Sequence, residues 1–297
     1  MRNFWLALAG LFIFGMLAIF TYWPVLHPSA DPARSVQLQK PASSQPPHEA
    51  PPRRTLTVCS DVWMPYAGQP GGAREGYLID IMRQIYEPLG FRVDYRVLPW
   101  TRCVDETRAG KIDALVGTVF SQTPDLIYPE SSLGLDQSMF FTLPASGWRY
   151  ADLKDLGRVR LGAVQDYDYN EVLDRYIRMN AASGKVWFAR GDAPVERLVS
   201  ALQNRTIDVF VENQNVAEYF QKQHRGRVRL RQAGMVGTAV RVYAAFSPRG
   251  PEAEELARLL DRRIDDLRGS GELKAILDRY GLVDWRSASA AIRGRQP

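Results

Sequence analysis

The sequence predicts a two-lobed α/β fold, and three observations carry that expectation. Apolar, β-rich runs alternate with helical stretches, the alternation comes in two successive sets, and further β-rich runs stand where one set gives way to the other. Strand, helix and strand in succession imply parallel strands joined by right-handed crossovers. Of the 297 residues, about 240 follow a proline-rich stretch, enough for two lobes of ordinary size.

In the first set, Leu56, Thr57, Val58 and Cys59 form a short β-rich run that ends at the turn-prone pair Ser60 and Asp61. Leu78, Ile81, Met82, Ile85 and Leu89 recur at helical spacing over 76–90, and Gly90 is suited to ending that helix. Phe91, Val93, Tyr95 and Val97 alternate as in a strand, which Pro99 stops. Thr101 is placed to cap a helix running to Gly110, and 112–116 reads as the next buried strand. The second set reads as a strand over 159–164, helices over 170–179 and 195–203, a buried strand over 207–211 and a helix over 215–222. A strand over 240–247 and helices over 251–268 and 271–280 complete the chain, with Leu256, Leu259, Leu260, Ile264 and Leu267 as an apolar stripe.

The ends read differently. Residues 4–26 are almost continuously apolar, with Arg2 the one charged side chain before them. A helix of that length spans roughly 33 Å, enough for a bilayer. Arg2 favours an inside amino terminus, and Tyr22 and Trp23 suit an interfacial belt. The expectation is an uncleaved inner-membrane anchor; the alternative is a removed signal segment, for which Pro28, Ser29 and Ala30 make a poor cleavage site. Either places the folded part in the periplasm. Residues 27–54, rich in Pro, Ser, Gln and Ala, read as a disordered tether, and 286–297 as a flexible tail.

Composition narrows the function. The net charge is +5. Arg2, Arg34, Lys40, Arg53 and Arg54, against Asp31 and Glu49, place more than half of it ahead of the folded part. No basic stripe remains, so no nucleic-acid partner is expected. His27 and His48 fall in the tether and His224 in a polar run, which leaves no nucleophile–base constellation. No phosphate loop or metal motif is present, so no cofactor, no metal and no enzymatic activity are expected. Cys59 and Cys103 are the two cysteines. In an oxidising compartment adjacent strand ends would let them bridge; two buried thiols are the alternative.

Several motifs stand in a particular order: Trp63-Met64-Pro65-Tyr66 after the first strand, Gly76-Tyr77-Leu78-Ile79-Asp80 opening the first helix, Pro99-Trp100-Thr101-Arg102-Cys103 at a corner, and Gly110-Lys111-Ile112-Asp113-Ala114 turning into the third strand. GAVQDYDY over 162–169 and DVFVEN over 208–213 follow. This order resembles the bacterial extracellular solute-binding proteins of family 3 over residues 56–285. The resemblance implies a periplasmic-binding-protein type II fold, with lobe 1 formed by 55–142 and 244–285 and lobe 2, 143–243, inserted into it. The β-rich runs where one set gives way to the other, 139–142 and 241–246, are the expected crossings between lobes. A small polar, amino-acid-like solute would bind between the lobes of a monomer, which would present it to a membrane permease of the ABC type. The alternatives are a module that reports to a membrane sensor protein and a dehydratase-like enzyme on the same fold.

The resemblance and the position of these residues at strand ends make Asp61, Trp63, Tyr66, Tyr77, Arg102, Thr118, Ser121, Tyr167, Tyr169 and Glu212 candidate ligand contacts. Trp100 is assigned to packing, and Asp80 and Asp113 to structural roles. One departure bears on the ligand. The run Gly117-Thr118-Val119-Phe120-Ser121-Gln122-Thr123-Pro124 has Pro124 where amino-acid binders of the family carry a carboxylate-pairing arginine.

Overall fold

The computed structural model describes residues 54–165, 167–191, 193–224 and 226–287. The expected anchor over 1–26, residues 27–53 of the expected tether, Asp166 and residues 288–297 of the expected tail lie outside these. Among the described residues no helix is long and apolar enough to cross a membrane.

Strand β1 (Arg54–Ser60) begins two residues earlier than the expected run from Leu56, with Arg54 paired to Glu252. A turn follows, and helix α1 (Tyr77–Tyr86) buries Leu78, Ile79, Ile81, Met82 and Ile85. It starts at Gly76 with a φ of 99°, where a Cβ would lie 2.4 Å from the Tyr66 carbonyl oxygen, so only glycine fits that approach. A 3-10 turn over Glu87–Leu89 ends at the left-handed Gly90. Strand β2 (Phe91–Val97) leads to helix α2 (Trp100–Arg108). Pro99, not Thr101, occupies its N-cap, and no side chain caps it. Strand β3 (Ala114–Thr118) starts two residues later than predicted because Asp113 is spent on the turn, its carboxylate accepting from the Thr57 amide (2.7 Å) and hydroxyl (2.6 Å).

Strand β4 (Gly134–Asp136) and strand β5 (Ser138–Thr142) come next, then strand β6 (Leu161–Val164), helix α3 (Glu171–Asn180), strand β7 (Val186–Ala189) and helix α4 (Pro194–Gln203). Strand β8 (Val209–Asn213), helix α5 (Gln214–Gln223), strand β9 (Arg231–Met235) and strand β10 (Val240–Phe246) follow. Helices α6 (Ala253–Ser270) and α7 (Glu272–Tyr280) end the fold.

Two five-stranded sheets share one plan. The first has the order β2-β1-β3-β10-β4 and the second β7-β6-β8-β5-β9. In each, the middle strand of a parallel trio comes first in sequence, β1 between β2 and β3 and β6 between β7 and β8. Each trio is continued by an antiparallel pair, β10 and β4 in one sheet, β5 and β9 in the other. Lobe 2 is thus inserted in lobe 1. The crossings are not within 139–142 and 241–246, since β5 lies wholly in the second sheet and β10 wholly in the first. The chain crosses at Gln137, between β4 and β5, and returns over 236–239. The sequence hid this because β4 is three residues long, too short for a period-2 pattern.

Lobe 1 packs one large core around Tyr66, Tyr77, Tyr86, Phe246 and the buried faces of α1, α6 and α7. Asp80 belongs to this framework, accepting from the Tyr280 hydroxyl at 2.6 Å and pairing with Arg279. Lobe 2 has a core on each face of its sheet.

Cys59 at the end of β1 and Cys103 in α2 are both fully buried and form a disulfide, with Cα atoms 5.8 Å apart. The alternative of two free thiols is excluded. The bridge closes a 44-residue separation, worth about 4 kcal/mol in the chain-entropy account. The double variant Cys59→Ala/Cys103→Ala is expected to lose about that much in urea unfolding. Equal midpoints for variant and parent would contradict it.

Candidate functional site

A cleft of about 200 Å³ opens between the lobes. Lobe 1 lines it with Asp61, Trp63, Trp100 and Asp136, and lobe 2 with Tyr167, Asp168, Tyr169, Glu212 and Asn213. It adjoins a wider recess of about 770 Å³, and Trp63, Tyr167 and Glu212 line both.

The lobe 1 wall follows from the turn after β1. The Tyr66 amide (2.8 Å) and the Ala67 amide (3.1 Å) donate to the Trp63 carbonyl, which holds residues 63–67 in a tight loop. The Trp63 ring stacks on Tyr66 with centroids 3.9 Å apart and planes 10° from parallel. Tyr66 is fully buried beneath it. Its hydroxyl donates to the Leu135 carbonyl (2.6 Å) and accepts from the side-chain amides of Asn213 (3.1 Å) and Asn215 (2.9 Å). This oxygen ties lobe 1 to the β8–α5 junction of lobe 2.

Asn213 has three roles there. It caps α5, accepting the Val216 amide at 3.1 Å, and donates to both Tyr66 and Asp136, the latter at 2.7 Å. In lobe 2, the Val164 amide donates to the Tyr169 hydroxyl (2.8 Å), which pins that ring against the end of β6. Tyr167 stays 40% exposed, its ring 6.4 Å from that of Tyr169.

The cleft is acidic. Asp61, Asp136, Asp168 and Glu212 line it, and among the described residues no Lys, Arg or His does. Glu212 is 2% exposed and accepts only the Asn213 amide, at 2.7 Å. Burial first, with the Asp136 charge beside it, pushes its carboxyl up to about 8 against the pull of that amide. Burial also raises Asp136, which the Asn213 side chain lowers, and it raises Asp61. Burial and the Glu212 charge push the Tyr167 phenol upward. Such a site can hold a positive charge against carboxylates and aromatic faces.

Of the sequence candidates, Asp61, Trp63, Tyr167, Tyr169 and Glu212 come together in the cleft. Tyr66 and Tyr77 do not line it; they are core residues, and the Tyr77 hydroxyl fills the space a side chain at Gly134 would need. Thr118 is also turned inward, its hydroxyl 2.8 Å from that of Thr123 in a cluster with Tyr128. Ser121 is exposed and outside the cleft. Arg102 points to solvent and pairs with Glu106 one helical turn on, so it supplies no fork to the site. Trp100, assigned to packing, lines the cleft. Asp136, Asp168 and Asn213 were missed. Asp168 and Asn213 sit inside the GAVQDYDY and DVFVEN runs, where residue type and strand-end position single out their tyrosine and glutamate neighbours instead. Asp136 had no signal apart from a correctly placed crossing.

Residues 56–124 match the bacterial extracellular solute-binding proteins, family 3. Over these residues the expected resemblance to family 3 holds. The match covers β1 to the end of β3 and the loop after it, the part of lobe 1 that carries the Trp63 turn and the disulfide. Among solved structures, a histidine kinase sensor domain with similarity to periplasmic binding proteins shares 20% identity, covering 78% of this chain and 99% of that one with a TM-score of 0.58. A putative L-cystine ABC transporter protein from Listeria monocytogenes shares 15% identity over 76% of this chain and 95% of its own, TM-score 0.58. An ancestral amino acid-binding protein, a precursor of cyclohexadienyl dehydratase, shares 14% identity over 77% and 95%, TM-score 0.59. At these identities the likeness is one of fold. No curated protein sequence matches the chain.

Two outcomes test the site. Tyr66→Phe leaves the Leu135 carbonyl and two amides without their partner and is expected to cost about 2 kcal/mol, read as a lower urea midpoint. Glu212 gives a pH signature. Its folded-state value of about 8 lies above the usual 4.5, so between those values the folded protein holds a proton that the unfolded chain has released. Its contribution is full below pH 4.5 and lost as pH rises towards 8, by up to about 1.4 kcal/mol per pH unit. The stability difference between the parent and Glu212→Gln, followed by thermal unfolding, is expected to shift against the parent over that window. A constant difference would exclude the raised carboxyl.

Proposed function

We propose that this chain is a periplasmic solute-binding protein of the family 3 type that captures a small polar solute between its lobes and presents it to a membrane transporter. The observation that supports this most is the cleft itself. Both lobes line it, the lobes are joined at two adjacent crossings, and Glu212, a buried carboxyl without a cation, faces it. Closure of two lobes about a hinge is an established way of enclosing a ligand. A solute that bridges Trp63 and Asp61 on one wall to Tyr167 and Glu212 on the other favours the closed arrangement, which a permease can read. The apolar run over 4–26 fits an anchor that keeps the protein beside its membrane partner, raising the local concentration of one for the other.

A sensory reading shares the same cleft and differs in the partner. It draws support from that run and from the fold likeness to a kinase sensor domain. Catalysis has less to build on: among the described residues no histidine lines the cleft beside the raised carboxyls of Glu212, Asp136 and Asp61.

The test is a thermal-shift panel of amino acids, amines, organic acids and small peptides on the full-length protein. A ligand present at about 100 times its Kd stabilises the fold by about 2.7 kcal/mol. A specific hit is expected, reduced at least tenfold in affinity by Trp63→Ala. A well-folded protein that responds to no solute in the panel would overturn the reading.

A further inference from the structure

The charge of the cleft is one-sided. Four carboxylates line it with no cation opposite them among the described residues. Among the described residues Glu212 makes no ion pair, and Asp136 is met by the neutral Asn213 amide alone. Some acids outside the cleft meet arginines: Glu75 with Arg83, Asp208 with Arg160 and Asp125 with Arg108. Among the described residues none of the four cleft acids forms such a pair, although the chain has 38 basic residues against 33 acidic ones.

A buried carboxyl without a partner is costly, and it is relieved by a counter-charge or by a proton. Here the free space lies between the carboxyl groups, so a counter-charge entering it comes from the ligand. The walls agree with that sign. Trp63, Trp100, Tyr167 and Tyr169 also line the space, and aromatic faces attract cations. A ligand carboxylate would face Asp61, Asp136 and Glu212 with no donor fork to receive it.

Resting on the solute-binding reading above, we infer that the solute is a small aliphatic amine that carries no carboxylate, its ammonium nitrogen held between Glu212 and Asp136 against the Trp63 face. Asp61 and Asp168 provide for a second cationic group in the same molecule. Arg190 lies on the adjoining recess and is the place where a carboxylate would have to be received if this assignment were mistaken.

Titration calorimetry on the full-length protein decides the matter with paired ligands. Cadaverine is compared with lysine and agmatine with arginine, so that each pair differs by one carboxylate. The amine is expected to bind at least tenfold more tightly in each pair. Glu212→Gln is expected to weaken amine binding at least tenfold. Asp61→Asn, at a less buried position, is expected to weaken it in the same direction and serves if the first variant misfolds. Amino acids bound as tightly as the amines or more so, with binding lost in Arg190→Ala, would overturn the inference and leave the solute-binding reading in place. Amine binding unchanged in both acidic variants would overturn it as well. A folded protein that binds neither amines nor amino acids, nor any solute of the wider panel, would overturn both.

Discussion

The structure depends on polar groups satisfying one another where the chain passes twice between its two sheets. At the outward crossing Gln137 is buried, and its carbonyl accepts the Gln214 amide at 2.8 Å. At the return the Val236 amide donates to the Ser138 carbonyl at 2.9 Å, so the two passages are themselves bonded together. Irregular backbone is tolerated in such a buried place only when its donors and acceptors are paired. Tyr66, Asn213 and Asp136 extend the network from this point towards the solvent side. What reads as a binding cleft is its continuation: the groups that hold the lobes in register end at the acids that face the open space.

This arrangement couples packing to charge. Asn213 caps α5, steadies Asp136 and meets Tyr66, all with one amide. The Glu212 side chain cannot share that amide's hydrogens and keeps its burial cost. Neighbouring residues thus carry opposite demands: the Asn213 side chain is fully satisfied, and Glu212 is left short. Sites held in that condition favour a ligand because the ligand removes a penalty that the empty protein bears.

Much of the fold was legible in the sequence because its periodic stretches are long and apolar. The α1 stripe of Ile81, Met82 and Ile85, the α6 stripe of Leu256, Leu260 and Ile264, and the alternation of β2 each announce which face is buried. Short elements escaped: β4, β7 and β9 have three to five residues each and lie near turns. For the same reason the crossings were misplaced by a few residues. In the site, residue type was a good guide where the side chain ends a strand, as for Asp61 and Glu212. It failed where tertiary packing turns a side chain around. Thr118 alternates towards the lobe interior and finds Thr123, while Arg102 stands on the solvent face of α2 with Glu106 in reach. Neither direction is encoded in a motif.

The order of strands in the first sheet has a consequence for how the chain is made. Strand β10 lies between β3 and β4, yet it is synthesised after all of lobe 2. Until residue 240 is available, β3 has an open edge and β4 has no neighbour in its sheet. Closing that gap is a long-range pairing, the slow kind. Exposed strand edges also invite pairing with other chains. The inserted lobe can assemble from its own consecutive strands, β5 to β9, and its completion brings β10 back beside the crossing it must join. In this chain the last strand to be made is the one that seals the first lobe.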